Sequence, residues 1–169
     1  MMPTETEDNS EILTADASML PKLARIAIVD DEPLNVRLIR HQLEKLGYRF
    51  ILGILDSTTA LESFEDFRPD VVLLDLVMPE VSGTELLQQM RSHPQLKSVP
   101  VIILTASRDR MTKLQVLELG VADFLGKPLD EAELSTRLRN VIQAKQYRDH
   151  LEDDAAQLER AVRQRTQAL

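Results

Sequence analysis

The sequence predicts an α/β fold: a doubly wound parallel sheet built from five strand–helix units, with an extended C-terminal helix. Three observations carry this. From Ala24 onward, short β-branched or aliphatic runs alternate with segments of helical period. The third and fourth runs are apolar without alternation, as strands covered on both faces must be. The final stretch, Asp130 to Leu169, contains neither proline nor glycine. With 169 residues and ~150 residues per domain, one domain and a small remainder are expected.

Met1 to about Lys22 carries Glu5, Glu7, Asp8, Glu11 and Asp16 between Pro3 and Pro21. So few apolar residues bury nothing lasting, and residues 1–22 read as a disordered acidic tail. The strand candidates are Arg25–Val29, Tyr48–Leu55, Asp70–Leu74, Val101–Thr105 and Ala122–Leu125. The first helix opens at Pro33, whose fixed φ and missing N–H suit a first helical position. Val36, Ile39, Leu43 and Leu46 form its inner face, and Gly47 ends it as a left-handed cap. The second helix lies near Thr58–Phe67 with Leu61, Phe64 and Phe67 inward, and the third near Thr84–Arg91 with Leu86, Leu87 and Met90 inward. The fourth lies near Asp109–Leu119 with Met111, Leu114 and Leu117 inward, and Gly120 stops it. A last helix from Asp130 to Leu169 would run ~60 Å at 1.5 Å per residue. A domain of ~120 residues has a radius of gyration of ~14 Å, so this helix must project beyond it. In heptad register Leu134, Val141, Arg148, Ala155, Val162 and Leu169 fall at one core position, and Arg137, Ala144, Leu151, Leu158 and Arg165 at the other. Its charges from Gln143 onward balance, so a merely solvated helix is the plainer reading.

Composition narrows the function. A hydrophobic fraction of 43% with 28% charged residues is that of a folding chain. Twenty basic against twenty-eight acidic residues give a net charge of −8, which repels nucleic-acid phosphate and anionic lipid. Zero cysteines exclude disulfides, a thiolate nucleophile and any cysteine-ligated metal, and point to a reducing compartment. The longest apolar runs fall far short of the ~20 residues that cross a bilayer. The start lacks a signal-peptide charge pattern, so the chain reads as cytoplasmic.

Right-handed crossovers bring all strand carboxyl ends to one edge, where ligands of such sheets bind. Asp30 and Asp31 end the first strand and Asp75 follows the third, so three carboxylates meet there. Such a set suits a hard cation such as magnesium, which prefers a few carboxylates with waters and phosphate oxygens. Alone, Asp30–Asp31–Glu32–Pro33 is explained by an acidic helix start on a positive dipole. Lys127 follows the fifth strand and reaches the same edge as a point charge, although a single loop lysine is usually just exposed. Thr105 ends the fourth strand with a hydroxyl, although β-branched residues belong in strands anyway. Together, four of five strands end in groups suited to magnesium and a phosphoryl group.

Ile28-Val29-Asp30-Asp31-Glu32-Pro33, Asp75-Leu76-Val77-Met78-Pro79 with Gly83, Thr105-Ala106 and Ala122-Asp123-Phe124-Leu125-Gly126-Lys127-Pro128 resemble the receiver domain of bacterial two-component response regulators (CheY-like), over residues 23–144. The resemblance implies a flavodoxin-like (βα)5 sheet of strand order 2-1-3-4-5. It also implies Mg2+-dependent transfer of a phosphoryl group from a phosphohistidine of a sensor histidine kinase or histidine phosphotransfer protein to Asp75. By position, Asp31, Asp75 and the carbonyl of Val77 match the family's direct magnesium ligands, with Asp30 acting through water. Lys127, the Thr105 hydroxyl and the Ala106 amide match the groups that hold phosphoryl oxygens, and neutralising those oxygens is the main protein contribution to such transfer. Thr105 and Phe124 match the switch pair; Phe124 lacks the hydroxyl of the tyrosine often found there. Val77 and Ser107 occupy positions that the family relates to phosphate lifetime.

Leu158 to Leu169 resembles the helical connectors that follow receivers, which implies an output domain beyond Leu169, and the apolar seam of Leu151, Ala155, Leu158 and Val162 predicts a parallel homodimer through a coiled coil over residues 145–169. Two other functions compete. A non-phosphorylated adaptor of this fold usually lacks an acid, the threonine or the lysine, and this chain lacks none. Phosphate-ester hydrolases with an aspartate nucleophile usually carry a second acid two residues on, where Val77 stands. The glycines are isolated and build no phosphate-cradling loop. His41, His93 and His150 share no ligand spacing.

Overall fold

Val71 to Leu74 and Val101 to Leu104 are completely buried, because their strands lie in the middle of the sheet with helices on both faces. The computed structural model describes residues 20–106 and 110–168. Its strands are β1 (Arg25–Val29), β2 (Phe50–Ile54), β3 (Val71–Asp75), β4 (Val101–Thr105) and β5 (Asp123–Gly126), and its helices are α1 (Pro33–Lys45), α2 (Ala60–Phe67), α3 (Gly83–Arg91), α4 (Arg110–Glu118) and α5 (Glu131–Gln167). All strand pairs are parallel, in the order β2-β1-β3-β4-β5. This is the flavodoxin-like order the resemblance implied.

The period-two alternation of the strands sorts the core into two layers. Ala27, Val29, Val72, Leu74, Val101 and Ile103 face Phe64 of α2, Leu86, Leu87 and Met90 of α3, and Val116 of α4. Ile26, Ile28, Val71, Leu73, Ile102 and Leu104 face Val36, Ile39 and Leu43 of α1 and Leu134, Leu138 and Ile142 of α5. Pro33 stands at the start of α1, and Gly47 follows it with φ +98°. There Tyr48 N–H reaches back to the Leu43 carbonyl, so Tyr48 belongs to the helix exit and β2 starts two residues later than expected.

Two expectations need correction. Leu114 and Leu117 are about half exposed, whereas Val116 is fully buried and Leu119 partly so. The segment is weakly amphipathic, so two stripes competed and the sheet took the one with the compact β-branched residue. Met111's side chain lies outside the described residues, as do the expected helix start at Asp109, Ser107, residues 1–19 and Leu169. Leu134 and Val141 are buried in the domain core and belong to no projecting seam, while Arg137 pairs with Asp123 and Glu133. An apolar seam on α5 begins only beyond the globule: Leu151, Leu158 and Val162 are all more than half-open to solvent or nearly so. At 37 residues, α5 is ~55 Å long. Leu20–Leu23 form a short 3-10 turn in which Lys22 bonds the Leu46 carbonyl and lies over the Tyr48 ring. No described helix is long and apolar enough to cross a membrane.

Candidate functional site

The carboxyl edge gathers the acids as the strand ends dictate. Val29 pairs with Leu74, so Asp30, one residue on, stands beside Asp75 at the end of β3. Asp75 in turn pairs with Leu104, which puts Thr105 just past it, and Thr105 pairs with Gly126, next to Lys127. Ligand oxygens of Asp30, Asp31 and Asp75 all lie within 4.8 Å of one another. Asp30 and Asp75 are buried and Asp31 is exposed, so the cluster opens to solvent on one side.

Each acid is held differently. Asp30 Oδ1 accepts from the Glu32 N–H at 2.9 Å, and Oδ2 accepts from Asn35 Nδ2 at 3.2 Å and Lys127 Nζ at 2.9 Å. Both of its oxygens are occupied. Among the described residues, Asp75 Oδ1 accepts from the Val77 N–H at 3.3 Å, and Oδ2 faces Lys127 Nζ at 3.4 Å. Burial and the neighbouring Asp30 charge raise the Asp75 pKa above the ordinary aspartate value, against the opposing pull of Lys127. Burial alone would lower the Lys127 ammonium, but its hydrogen bond to Asp30 and the charges of Asp75 and Asp30 hold its pKa above the usual lysine value.

Three carboxylates face one ammonium, a formal excess of two negative charges. The donor set is oxygen only and one carboxylate is solvent-open, which fits a divalent hard cation. The exposed Val77 and the buried Met78 lie on the loop after β3. Gly83 fixes that loop: its N–H bonds the Leu76 carbonyl, and a Cβ there would sit 2.2 Å from the Asp75 carbonyl oxygen. Only glycine lets α3 start against the backbone of Asp75. Thr105 is buried at the end of β4, Ala106 is exposed beyond it, and Phe124 packs partly buried against the core. All the acids and Lys127 thus converge as expected. Asn35 went unnoticed in the sequence; its place in the first turn of α1, five residues after Asp30, was the available signal.

The sequence profile of the response regulator receiver domain matches residues 26–139. Response regulator PleD of Caulobacter vibrioides is 36% identical over 128 residues, covering 76% of this chain and 28% of that protein. The alkaline phosphatase synthesis transcriptional regulatory protein PhoP of Bacillus subtilis is 34% identical over 118 residues, 70% of this chain and 48% of that protein. The chain thus spans less than half the length of these relatives. Among solved structures, the receiver domain of sensor histidine kinase PA1611 from Pseudomonas aeruginosa, with a magnesium ion in its active-site cleft, shares 32% identity at a TM-score of 0.66. That alignment covers 72% of this chain and 98% of that one. Chemotaxis protein CheY4 of Vibrio cholerae shares 28% identity at a TM-score of 0.66, covering 70% and 98%. The fold, the acidic edge and these likenesses agree: the chain belongs to the receiver-domain family of two-component response regulators.

Proposed function

We propose that Asp75 accepts a phosphoryl group and that the remaining edge residues position it. The observation that carries this is the difference among the acids. Both oxygens of Asp30 are engaged at 2.9 to 3.2 Å, and Asp31 is exposed. Asp75 is buried yet bound only by longer contacts among the described residues, which leaves a carboxylate oxygen able to attack. In transfer from a phosphohistidine, an Asp75 oxygen forms the new O–P bond while the N–P bond breaks. The electron pair leaves with the imidazole nitrogen, which takes up a proton. Lys127, between Asp30 and Asp75, would hold one phosphoryl oxygen, and the Thr105 hydroxyl and Ala106 amide the others. Asp31, Asp75 and the Val77 carbonyl, with Asp30 through water, would hold Mg2+. When bound, that ion offsets the negative charge of carboxylates and phosphoryl oxygens.

The phosphoryl donor is a sensor histidine kinase or histidine phosphotransfer protein, and the chain acts as a cytoplasmic signalling domain that gains and loses its phosphoryl group rather than as a turnover enzyme. Thr105 and Phe124 carry the change toward α5, which pairs as a parallel homodimer through Leu151, Ala155, Leu158 and Val162 and leads to an output domain. The exposure of Leu151, Leu158 and Val162 supports this pairing, and Arg165 in the seam makes it weak; Arg148, which the heptad register also put there, instead turns to the Ser98 carbonyl. Incubation with acetyl phosphate and magnesium should add one phosphoryl mass, and Asp75→Asn should abolish it; undiminished labelling of that variant refutes the assignment. Light scattering of Leu158→Glu at tens of micromolar should give half the mass of the wild type, and equal masses would remove α5 as the dimerising element.

A further inference from the structure

At the opposite edge of the sheet, where β4 and β5 begin, lies a cleft of about 520 Å³ lined by Arg91, Lys97, Ser98 and Arg148, with Val99, Pro100 and Leu119 among its apolar walls. Glu118 is the one carboxylate in its lining. None of the three cations lies within 4.0 Å of a carboxylate among the described residues, so the cleft carries uncompensated positive charge in a chain that is acidic overall. Arg91 is locked in place by backbone acceptors. Its Nε donates to the Leu119 carbonyl at 2.9 Å, Nη1 to those of Lys97 at 3.1 Å and Val99 at 2.9 Å, and Nη2 to that of Gly120 at 3.1 Å. Its charge is therefore fixed before any ligand arrives. Arg148 makes a single bond, from Nη2 to the Ser98 carbonyl at 3.3 Å, and the rest of its fork has no partner among the described residues. Burial, and after it the charge of Arg148, lower the Arg91 pKa.

We propose that this cleft binds a phosphate monoester with an apolar body, a nucleoside monophosphate in size and chemistry. The planar Arg148 fork and the Lys97 ammonium suit phosphate oxygens, the Ser98 hydroxyl adds a donor, and Arg91 supplies a fixed field. Val99, Pro100 and Leu119 offer the apolar wall, and the volume falls within the range of small-molecule sites. The cleft joins the end of α4, the start of β4 and the point where α5 leaves the globule, so a ligand there would brace the root of the projecting helix independently of Asp75.

The test is a titration of the isotope-labelled full chain with adenosine 5′-monophosphate, without magnesium, read at arginine Nε–H signals and the amides of Lys97, Ser98 and Gly120. Saturable shifts at millimolar ligand are expected there, absent with adenosine alone. Arg148→Gln and Lys97→Gln, both at exposed positions, should each weaken binding about tenfold. Phosphorylation of Asp75 by acetyl phosphate should be unchanged in both. No saturable shift, an equal response to adenosine, an undiminished response in Arg148→Gln, or shifts confined to Asp30, Asp75 and Lys127 would each overturn the proposal. None of these results bears on the Asp75 assignment.

Discussion

The two edges of this sheet treat buried charge in opposite ways. At the amino edge Arg91 of α3 spends its donors on four backbone carbonyls that lead into β4 and out of α4, and Lys145 of α5 bridges Asp149 and Asp70, just before β3. At the carboxyl edge Asp30 and Asp75 lie side by side with one lysine between them, and like charges are left in excess. The buried donors of the amino edge are met by protein acceptors, whereas the buried acids of the carboxyl edge keep like charge that a bound cation can offset.

Removing one cation from each edge should expose the difference between the edges most visibly. Lys127→Met strands Asp30 and Asp75 without their ammonium, and breaking a buried pair costs roughly 3 kcal/mol. Magnesium should recover part of that loss, because the edge is short of positive charge. Arg91→Met deprives four carbonyls of their donor and should cost about 2 kcal/mol, and magnesium should stabilise it only as much as it does the wild type. Urea unfolding with and without the ion measures both. Equal magnesium responses would mean that the edges do not differ as described.

Gly83→Ala probes the backbone beneath the acids. The added Cβ would meet the Asp75 carbonyl oxygen at 2.2 Å, so α3 must shift, at a cost of about 2 kcal/mol. Acetyl phosphate labelling should slow together with the fall in stability, since the displaced strand end carries Asp75.

Asp75→Asn should give the smallest change in stability and with the opposite sign. The Asp75 pKa is raised in the fold by burial and by Asp30, so the folded chain holds that proton more tightly than the unfolded one. Its stabilising contribution is full below the unfolded aspartate value of ~3.9 and is lost as pH rises through the raised folded value. At neutral pH without magnesium the asparagine variant should therefore melt higher than the wild type. The advantage should vanish in strong acid, and thermal melts across the pH range would show whether it does.

How much of this was legible in the sequence differs between the edges in the same way. β1 and β4 were placed to the residue because runs of aliphatic residues bounded by charge or turn residues leave little freedom. The acids and Lys127 were legible because side chains at strand ends are positioned by the topology alone. Arg91's role was hidden, since carbonyl acceptors leave no mark on a sequence. On α4 the sequence points to the wrong face, because Leu114 and Leu117 outweigh Val116 in any count of apolar residues and only the sheet's shape favours the smaller one. Tyr48 looked like strand because aromatic residues favour sheets, yet the hydrogen bond to Leu43 keeps it in the helix exit.

One measurement tests directly whether Asp75, alone among the clustered acids, carries the phosphoryl group. Borohydride reduction of the freshly phosphorylated chain converts a phosphoaspartate to homoserine, and peptide mass spectrometry then reads the position. Homoserine at residue 75, dependent on magnesium, is the predicted result. Homoserine at residue 30 or 31 with residue 75 intact would contradict it.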